Sequence, residues 1–131
     1  MTQGRFSAEF RGRTKKFASS SVRFFVGLPR EHEEVRVLGR QLLRSGTSVA
    51  AHVREAARAR SDAEFCSKLE GAIQEADESQ LWLELLRDDC VIRNPALDAL
   101  LAEASELIAI FVTMVNKTRG RSESKKQKPE D

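Results

Sequence analysis

The most constraining feature of the sequence is an apolar seam that runs without interruption from residue 65 to residue 86. Its members are separated by alternating steps of four and three: Phe65, Leu69, Ala72, Ala76, Ser79, Leu83 and Leu86. This spacing keeps one face of an α-helix apolar over about six turns, and it does not match the two-residue period of a strand. A helix of this length cannot bury its seam alone, so the sequence predicts a partner helix.

Three further segments show a helical period, and we predict helices over 14–28, 31–59, 62–89 and 95–117. Ser61 and Glu64 form a capping box at the start of the third helix, and Asn94-Pro95 begins the fourth. Short connections require neighbouring helices to run antiparallel. The sequence therefore predicts an all-α fold, an antiparallel up-down-up-down four-helix bundle over residues 14–118. A flexible basic arm, 1–13, precedes it and a disordered charged tail, 119–131, follows it.

The turn near residue 60 sets the register between the second and third helices, because facing residues have numbers that sum to about 120. This register predicts an interhelical ion pair between Arg44 and Glu75, and it places Glu55 near Lys68. A pair of this kind would fix the register rather than add much stability. We predict an interhelical polar network with these members: Gln41, Arg44, Ser48, Glu55, Glu75 and Glu78.

The charge is distributed unevenly along the chain, whose formal net charge is +2. Both termini are basic and the central region is acidic, which indicates arms that can reach a polyanion. The candidate nucleic-acid contacts are Arg5, Arg11, Arg13, Lys15, Lys16, Arg119, Arg121, Lys125, Lys126 and Lys128. The alternative from charge alone is that the termini only keep the protein soluble.

One segment of the third helix is more apolar than the core of a single bundle requires. Between Leu81 and Leu86, apolar side chains cover an arc of about 200°, whereas a core-facing stripe needs little more than 100°. The surplus predicts a subunit interface that includes Leu81, Trp82 and Leu85. The alternative is that the N-terminal arm folds back over this surface.

The sequence lacks the motifs of an enzyme, and we expect no catalytic residue, no metal, no cofactor and no small-molecule substrate. It has no glycine-rich phosphate loop, no CxxC pair and no G-x-S-x-G elbow, and its only histidines are His32 and His52. Cys66 and Cys90 would lie about 36 Å apart on one helix, too far for a disulfide, which favours a reducing compartment. With no signal peptide and no apolar stretch long enough to span a membrane, we expect a cytoplasmic protein without a membrane partner.

Two segments resemble the bacterial four-helix-bundle family of 23S rRNA intervening-sequence proteins. In the run QLLRSGTSVAAHVREA, the residues that match the pattern of the family's second helix are Gln41, Arg44, Ser45, Ser48, Glu55 and Ala56. The run from Ser61 to Leu86 resembles the pattern of its third helix. His52 stands where the family usually has asparagine, and Ala50 stands at a frequent glycine.

The resemblance implies a bundle that assembles into a homopentameric ring. The family includes the accessory protein of diversity-generating retroelements, which binds its reverse transcriptase and nucleic acid. For this chain we predict a non-catalytic, oligomeric scaffold or adaptor whose basic arms contact RNA, DNA or a nucleic-acid enzyme. The alternative is a structural or protein-interaction module without a nucleic-acid role. The acidic central region argues against a direct reverse transcriptase partner.

Overall fold

The chain folds into four α-helices, and the computed structural model describes residues 6–127, with side chains described for residues 6–124. The helices are α1 (Ala8–Val26), α2 (Glu33–Ala57), α3 (Asp62–Asp88) and α4 (Pro95–Gln127). α2 packs against both α1 and α3, and α3 packs against α4, while α1 and α4 close the bundle. The predicted all-α, up-down-up-down four-helix bundle is confirmed, and no strand occurs within the described range.

The helix ends follow from local capping chemistry. At α3 the Ser61 hydroxyl accepts a hydrogen bond from the Glu64 backbone N–H at 3.0 Å, as the capping motif predicts. At α4 the side-chain oxygen of Asn94 accepts from the Ala96 N–H at 2.9 Å. Gly27 caps the end of α1, two residues before Pro29.

The predicted flexible arm is wrong for residues 8–13, because α1 begins at Ala8 rather than at Thr14. The Ser7 hydroxyl caps this helix by accepting from the Phe10 N–H at 3.1 Å. Phe6 is only 3% exposed. Its ring lies 5.4 Å from that of Phe65, and the Phe10 ring meets Phe111 edge-on. Burial of aromatic surface stabilises the helical turn, and this gain outweighs the low helix propensity that made the segment look unstructured.

The predicted disordered tail is likewise wrong for residues 119–127, which continue α4. Two contacts attach this extension to α3. Arg119 pairs with Glu70 at 2.8 Å, and the Ser122 hydroxyl donates to Asp62 at 2.8 Å. Residues 1–5 and 128–131 of the two predicted termini lie outside the described range.

The core runs the whole length of the bundle. Its largest fully buried side chains include Phe111, Leu42, Leu69 and Leu83. α2 lies close to α1 at Gly46, where an added Cβ would lie 2.8 Å from the Ser21 Cβ. Gly46 is therefore explained by close packing against α1 rather than by helix propensity.

Candidate nucleic-acid interface

The fold brings the two basic termini to one end of the bundle. At this end α1 begins, α2 ends, α3 begins and the last turns of α4 pass. We call it the basic end and define it as residues 6–18, 53–70 and 115–124. It carries eleven lysines and arginines against six acidic residues, whereas the rest of the described side chains carry seven against twelve. Charges that are separated along the chain are therefore concentrated in space.

Two of the predicted nucleic-acid contacts are engaged in ion pairs with α3 or α4 instead. The Arg13 guanidinium donates to both carboxylate oxygens of Glu103 at 2.8 Å and to Glu106 at 2.9 Å. Arg119 donates to Glu70 at 2.8 Å. With their charges matched inside the fold, Arg13 and Arg119 contribute less to an anion-binding surface than the sequence suggested.

The Arg13–Glu103 pair makes a pH-dependent contribution to stability. Hydrogen bonds from Arg13 hold the pKa of Glu103 below its usual range. A carboxyl group with a depressed pKa in the folded state stabilises the fold above its unfolded-state pKa of about 4.3, and this contribution is lost as the pH falls through the folded pKa. Because the Arg13 side chain is 37% exposed, the contribution is at most about 1 kcal/mol.

We therefore expect Arg13→Gln to lower the free energy of unfolding by up to about 1 kcal/mol at pH 7. The difference from wild type should shrink as the pH falls from about 4 through the depressed pKa of Glu103, because this carboxylate then becomes protonated in the folded wild type as well. Urea unfolding at several pH values measures this difference in the free energy of unfolding. A difference that stays constant across the acid range, or that grows there, would contradict this assignment.

The other candidate cations divide into two groups. Arg11, Lys15, Lys16 and Arg121 are exposed on the basic end, and none lies within ion-pair distance of a carboxylate among the described side chains. Arg121 donates a 3.5 Å hydrogen bond to the Thr118 hydroxyl. The side chains of Arg5, Lys125, Lys126 and Lys128 lie outside the described range.

Two cations that sequence reasoning missed join this surface from α2. Arg54 and Arg58 face Arg11 and Lys15 of α1 across a groove of about 290 Å³, which Ala8 and Gly12 complete. We call these six residues the basic groove. Arg54 and Arg58 also line a second groove with Arg60 and Lys68, where Glu55 and Glu64 supply opposite charge. The available signal was the spacing of two arginines by one helical turn at the C-terminal end of α2.

The predicted interhelical polar network is present only in part. Arg44 lies 3.5 Å from Glu75, the predicted pair, and 3.4 Å from Glu78. The Ser48 hydroxyl donates to the carbonyl oxygen of Arg44 on its own helix. Gln41 is half-buried and forms no hydrogen bond or ion pair with a described side chain. The Arg44 side chain is 55% exposed, so these pairs contribute more to the register of the two helices than to stability.

A second contact between α2 and α3 is fully buried. The hydroxyls of Ser45 and Ser79 lie 2.7 Å apart, and both serines are 0% exposed. Each is also close enough to a carbonyl of its own helix to donate to it. The sequence analysis placed Ser79 in the apolar seam and Ser45 in the family pattern without pairing them, although their residue numbers sum to nearly the value that the register predicts.

His52, at the family's usual asparagine position, packs against Gly71 of α3. An added Cβ at residue 71 would lie 2.9 Å from the imidazole Cε1, so the ring occupies the space that the glycine leaves open. The His52 Nδ1 lies 3.3 Å from Glu55, which also pairs with Lys68 at 3.6 Å, as the register predicted. This cluster is separate from the Arg44 pairs.

The three predicted interface residues differ in their exposure. Leu81 is 46% exposed. Trp82 packs partly against the core of its own protomer, and its buried indole N–H has no hydrogen-bond partner among the described residues. Leu85 is half-buried. The N-terminal segment from Phe6 onward does not cover this surface, because Phe6 docks on Phe65, about 24 Å from Leu81 along α3.

Other kinds of site receive no support from the described part of the chain. Within it, no group of three or more histidine, cysteine, aspartate or glutamate side chains is arranged to hold a metal ion. Its helices also contain no stretch long and apolar enough to cross a membrane.

Comparison with known proteins places the fold in a family. The profile of the 23S rRNA-intervening sequence protein family matches residues 9–113. A crystal structure from Bacteroides thetaiotaomicron, described as a protein of unknown function from the S23 ribosomal protein family, is 33% identical with a TM-score of 0.73, covering 80% of this chain and 96% of that one. No curated protein matches. The chain belongs to the 23S rRNA-intervening sequence protein family.

Proposed function

We propose that this protein is a non-catalytic, oligomeric scaffold that binds RNA through its basic end. The observation that carries the proposal is the collection of cations from α1, α2 and α4 on one end of the bundle. Several of them, including Arg11, Lys15, Arg54 and Arg58, are exposed and have no carboxylate partner among the described side chains. An excess of unpaired cations on one surface attracts a polyanion and speeds its association.

Oligomerisation through α3, to a pentamer, is the second part of the proposal. Leu81 and Leu85 lie one helical turn apart and are not covered by the N-terminal segment from Phe6 onward. In an oligomer the basic ends would be repeated, so that weak contacts to one RNA would reinforce one another through their effective concentration. Neither Cys66 nor Cys90 forms a disulfide, which fits a cytoplasmic location.

The salt dependence of RNA affinity tests the nucleic-acid part of the proposal. Each phosphate contact to a single strand contributes about −0.7 to the slope of log affinity against log salt concentration, so four contacts from one protomer give about −3. Fluorescence anisotropy with a labelled RNA measures this slope, and circular dichroism over the same salt range shows that the fold persists. A slope near zero, or no binding at low salt, would contradict RNA binding.

The competing function is a protein-interaction module in which the cations serve only solubility. The exposed Leu81 on α3 is the observation that favours it, because an apolar side chain at this position suits a protein partner as well as a second copy. The salt titration separates the two functions, since this alternative requires no affinity for RNA.

A further inference from the structure

The basic groove is built by two helices that each contribute a pair of cations. Arg11 and Lys15 are one turn apart on α1, and Arg54 and Arg58 are one turn apart on α2. All four side chains are exposed. Like charges at this spacing repel one another along each helix, and the groove sets the two pairs side by side. The fold therefore maintains four positive charges around one cleft.

Among the described side chains, no carboxylate lines the basic groove. Three other basic residues on the same end have acidic partners: Arg13 pairs with Glu103, Lys68 with Glu55, and Arg119 with Glu70. None of the four groove cations lies within ion-pair distance of a described carboxylate, although Glu55 and Glu64 line the neighbouring groove that Arg54 and Arg58 share. The basic groove is therefore suited to an anion from outside the chain.

Helix electrostatics do not explain the arrangement. Arg58 caps the C-terminal end of α2, where a cation is favourable. Arg11, however, lies in the first turn of α1, where the positive end of the helix dipole disfavours a cation. Helix electrostatics therefore do not account for both pairs of cations.

Gly12 is one of the residues that line the basic groove. A Cβ added there would meet nothing within 4 Å, so packing does not require a glycine at this position, although glycine disfavours the helix. Ala8 and Gly12 are the two small residues that line the groove beside the four cations. Their small size leaves room for a ligand between these cations.

We propose that the basic groove binds the phosphodiester backbone of RNA, a site that rests on the RNA-binding function proposed above. The groove contains no aromatic side chain on which a base could stack. Arginine and lysine contacts to phosphates fix position without reading sequence. Binding at this groove is therefore independent of base sequence.

Reversing the charge of the α2 pair tests the site. Arg54→Glu/Arg58→Glu removes two phosphate contacts, each contributing about fivefold at 0.1 M salt, so RNA affinity should fall by about 25-fold or more. The slope of log affinity against log salt should become shallower by about 1.4. The probe is a labelled single-stranded RNA of mixed sequence and about 20 nucleotides.

Arg36→Glu/Arg40→Glu is the matched control. These arginines are exposed on the same helix, at the same spacing, but at the opposite end of the bundle. The two double variants change the net charge equally. If both lose affinity to the same extent, the effect comes from overall charge and the groove assignment is overturned.

Gly12→Glu provides a second variant that does not alter α2. The added side chain has open space around it, and a carboxylate is favourable near the start of a helix, so the variant should fold. A carboxylate among the four cations should reduce RNA affinity at least tenfold, whereas Gly12→Ala should reduce it far less. Retained affinity in both Gly12→Glu and Arg54→Glu/Arg58→Glu would overturn the groove assignment.

The failure of the groove and the failure of RNA binding are distinguishable. If the wild-type protein binds RNA and the groove variants bind it equally well, the groove assignment is wrong and the proposed function still stands. Wild-type protein that does not bind refutes both. Equal affinity for two RNAs of different base composition supports a backbone site, whereas a strong preference for one of them, or for polyglutamate over RNA, overturns it.

Discussion

Phe111→Ala is expected to lower the free energy of unfolding by about 3–5 kcal/mol. Phe111 is 0% exposed in α4, and its ring meets that of Phe10 edge-on at a centroid distance of 5.9 Å. Removing it eliminates buried aromatic surface and leaves a cavity between α1 and α4. Because Phe10 belongs to the first turn of α1, the substitution should also loosen the N-terminal part of that helix.

Val112→Ala is the control for this substitution, since Val112 is the next residue of the same helix and is 41% exposed. It should change the stability by no more than about 0.5 kcal/mol. Urea unfolding gives both values, and amide exchange of residues 8–13 reports the loosening. If Phe111→Ala cost as little as Val112→Ala, the docking of α1 against α4 would be refuted.

Gly46→Ala is expected to destabilise the protein by about 1–3 kcal/mol, although alanine is the better helix former. The new methyl group would lie 2.8 Å from the Ser21 Cβ, a distance that requires the helices to separate or Ser21 to move. Ser21 is fully buried, and its hydroxyl donates to the Phe17 carbonyl oxygen at 2.9 Å. Its freedom to move is therefore small.

Gly12→Ala is the same substitution at an open helical site, and it should stabilise the protein by up to about 1 kcal/mol. Because the two substitutions should change the free energy of unfolding in opposite directions, they distinguish the effect of packing from that of helix propensity. Combining Gly46→Ala with Ser21→Gly should show a favourable coupling free energy in a double-mutant cycle, because the clashing Cβ is removed. Two stabilising alanines, or additive effects in the cycle, would rule out the close approach of α1 and α2.

The helical architecture was predictable because its signals are local. The seam from Phe65 to Leu86, the Ser61 cap and the Asn94-Pro95 start each depend on residues within a few turns of one another. The N-terminal part of α1 was not predictable in this way. Its order depends on Phe6 and Phe10 contacting Phe65 and Phe111, which are distant in the sequence.

In the candidate site, too, contacts set by local sequence were predictable and contacts set by helix packing were not. The Arg44–Glu75 pair could be placed because one short turn sets the register of α2 against α3. The basic groove could not, because Lys15 and Arg54 meet only through the packing of two helices whose relative rotation the sequence does not specify. Charge counting identified basic segments, but it could not tell that Arg13 is neutralised by Glu103 while Arg11 is not.

The solution mass of the full chain tests the proposed oligomeric RNA-binding scaffold most directly. It is measured by light scattering with and without RNA, at low and high salt. An oligomeric RNA-binding scaffold should show a multiple of the 14.7 kDa protomer that persists at both salt concentrations. The mass should increase with RNA at low salt only, since salt weakens phosphate contacts. A monomer, or an oligomer whose mass RNA leaves unchanged at low salt, would contradict it.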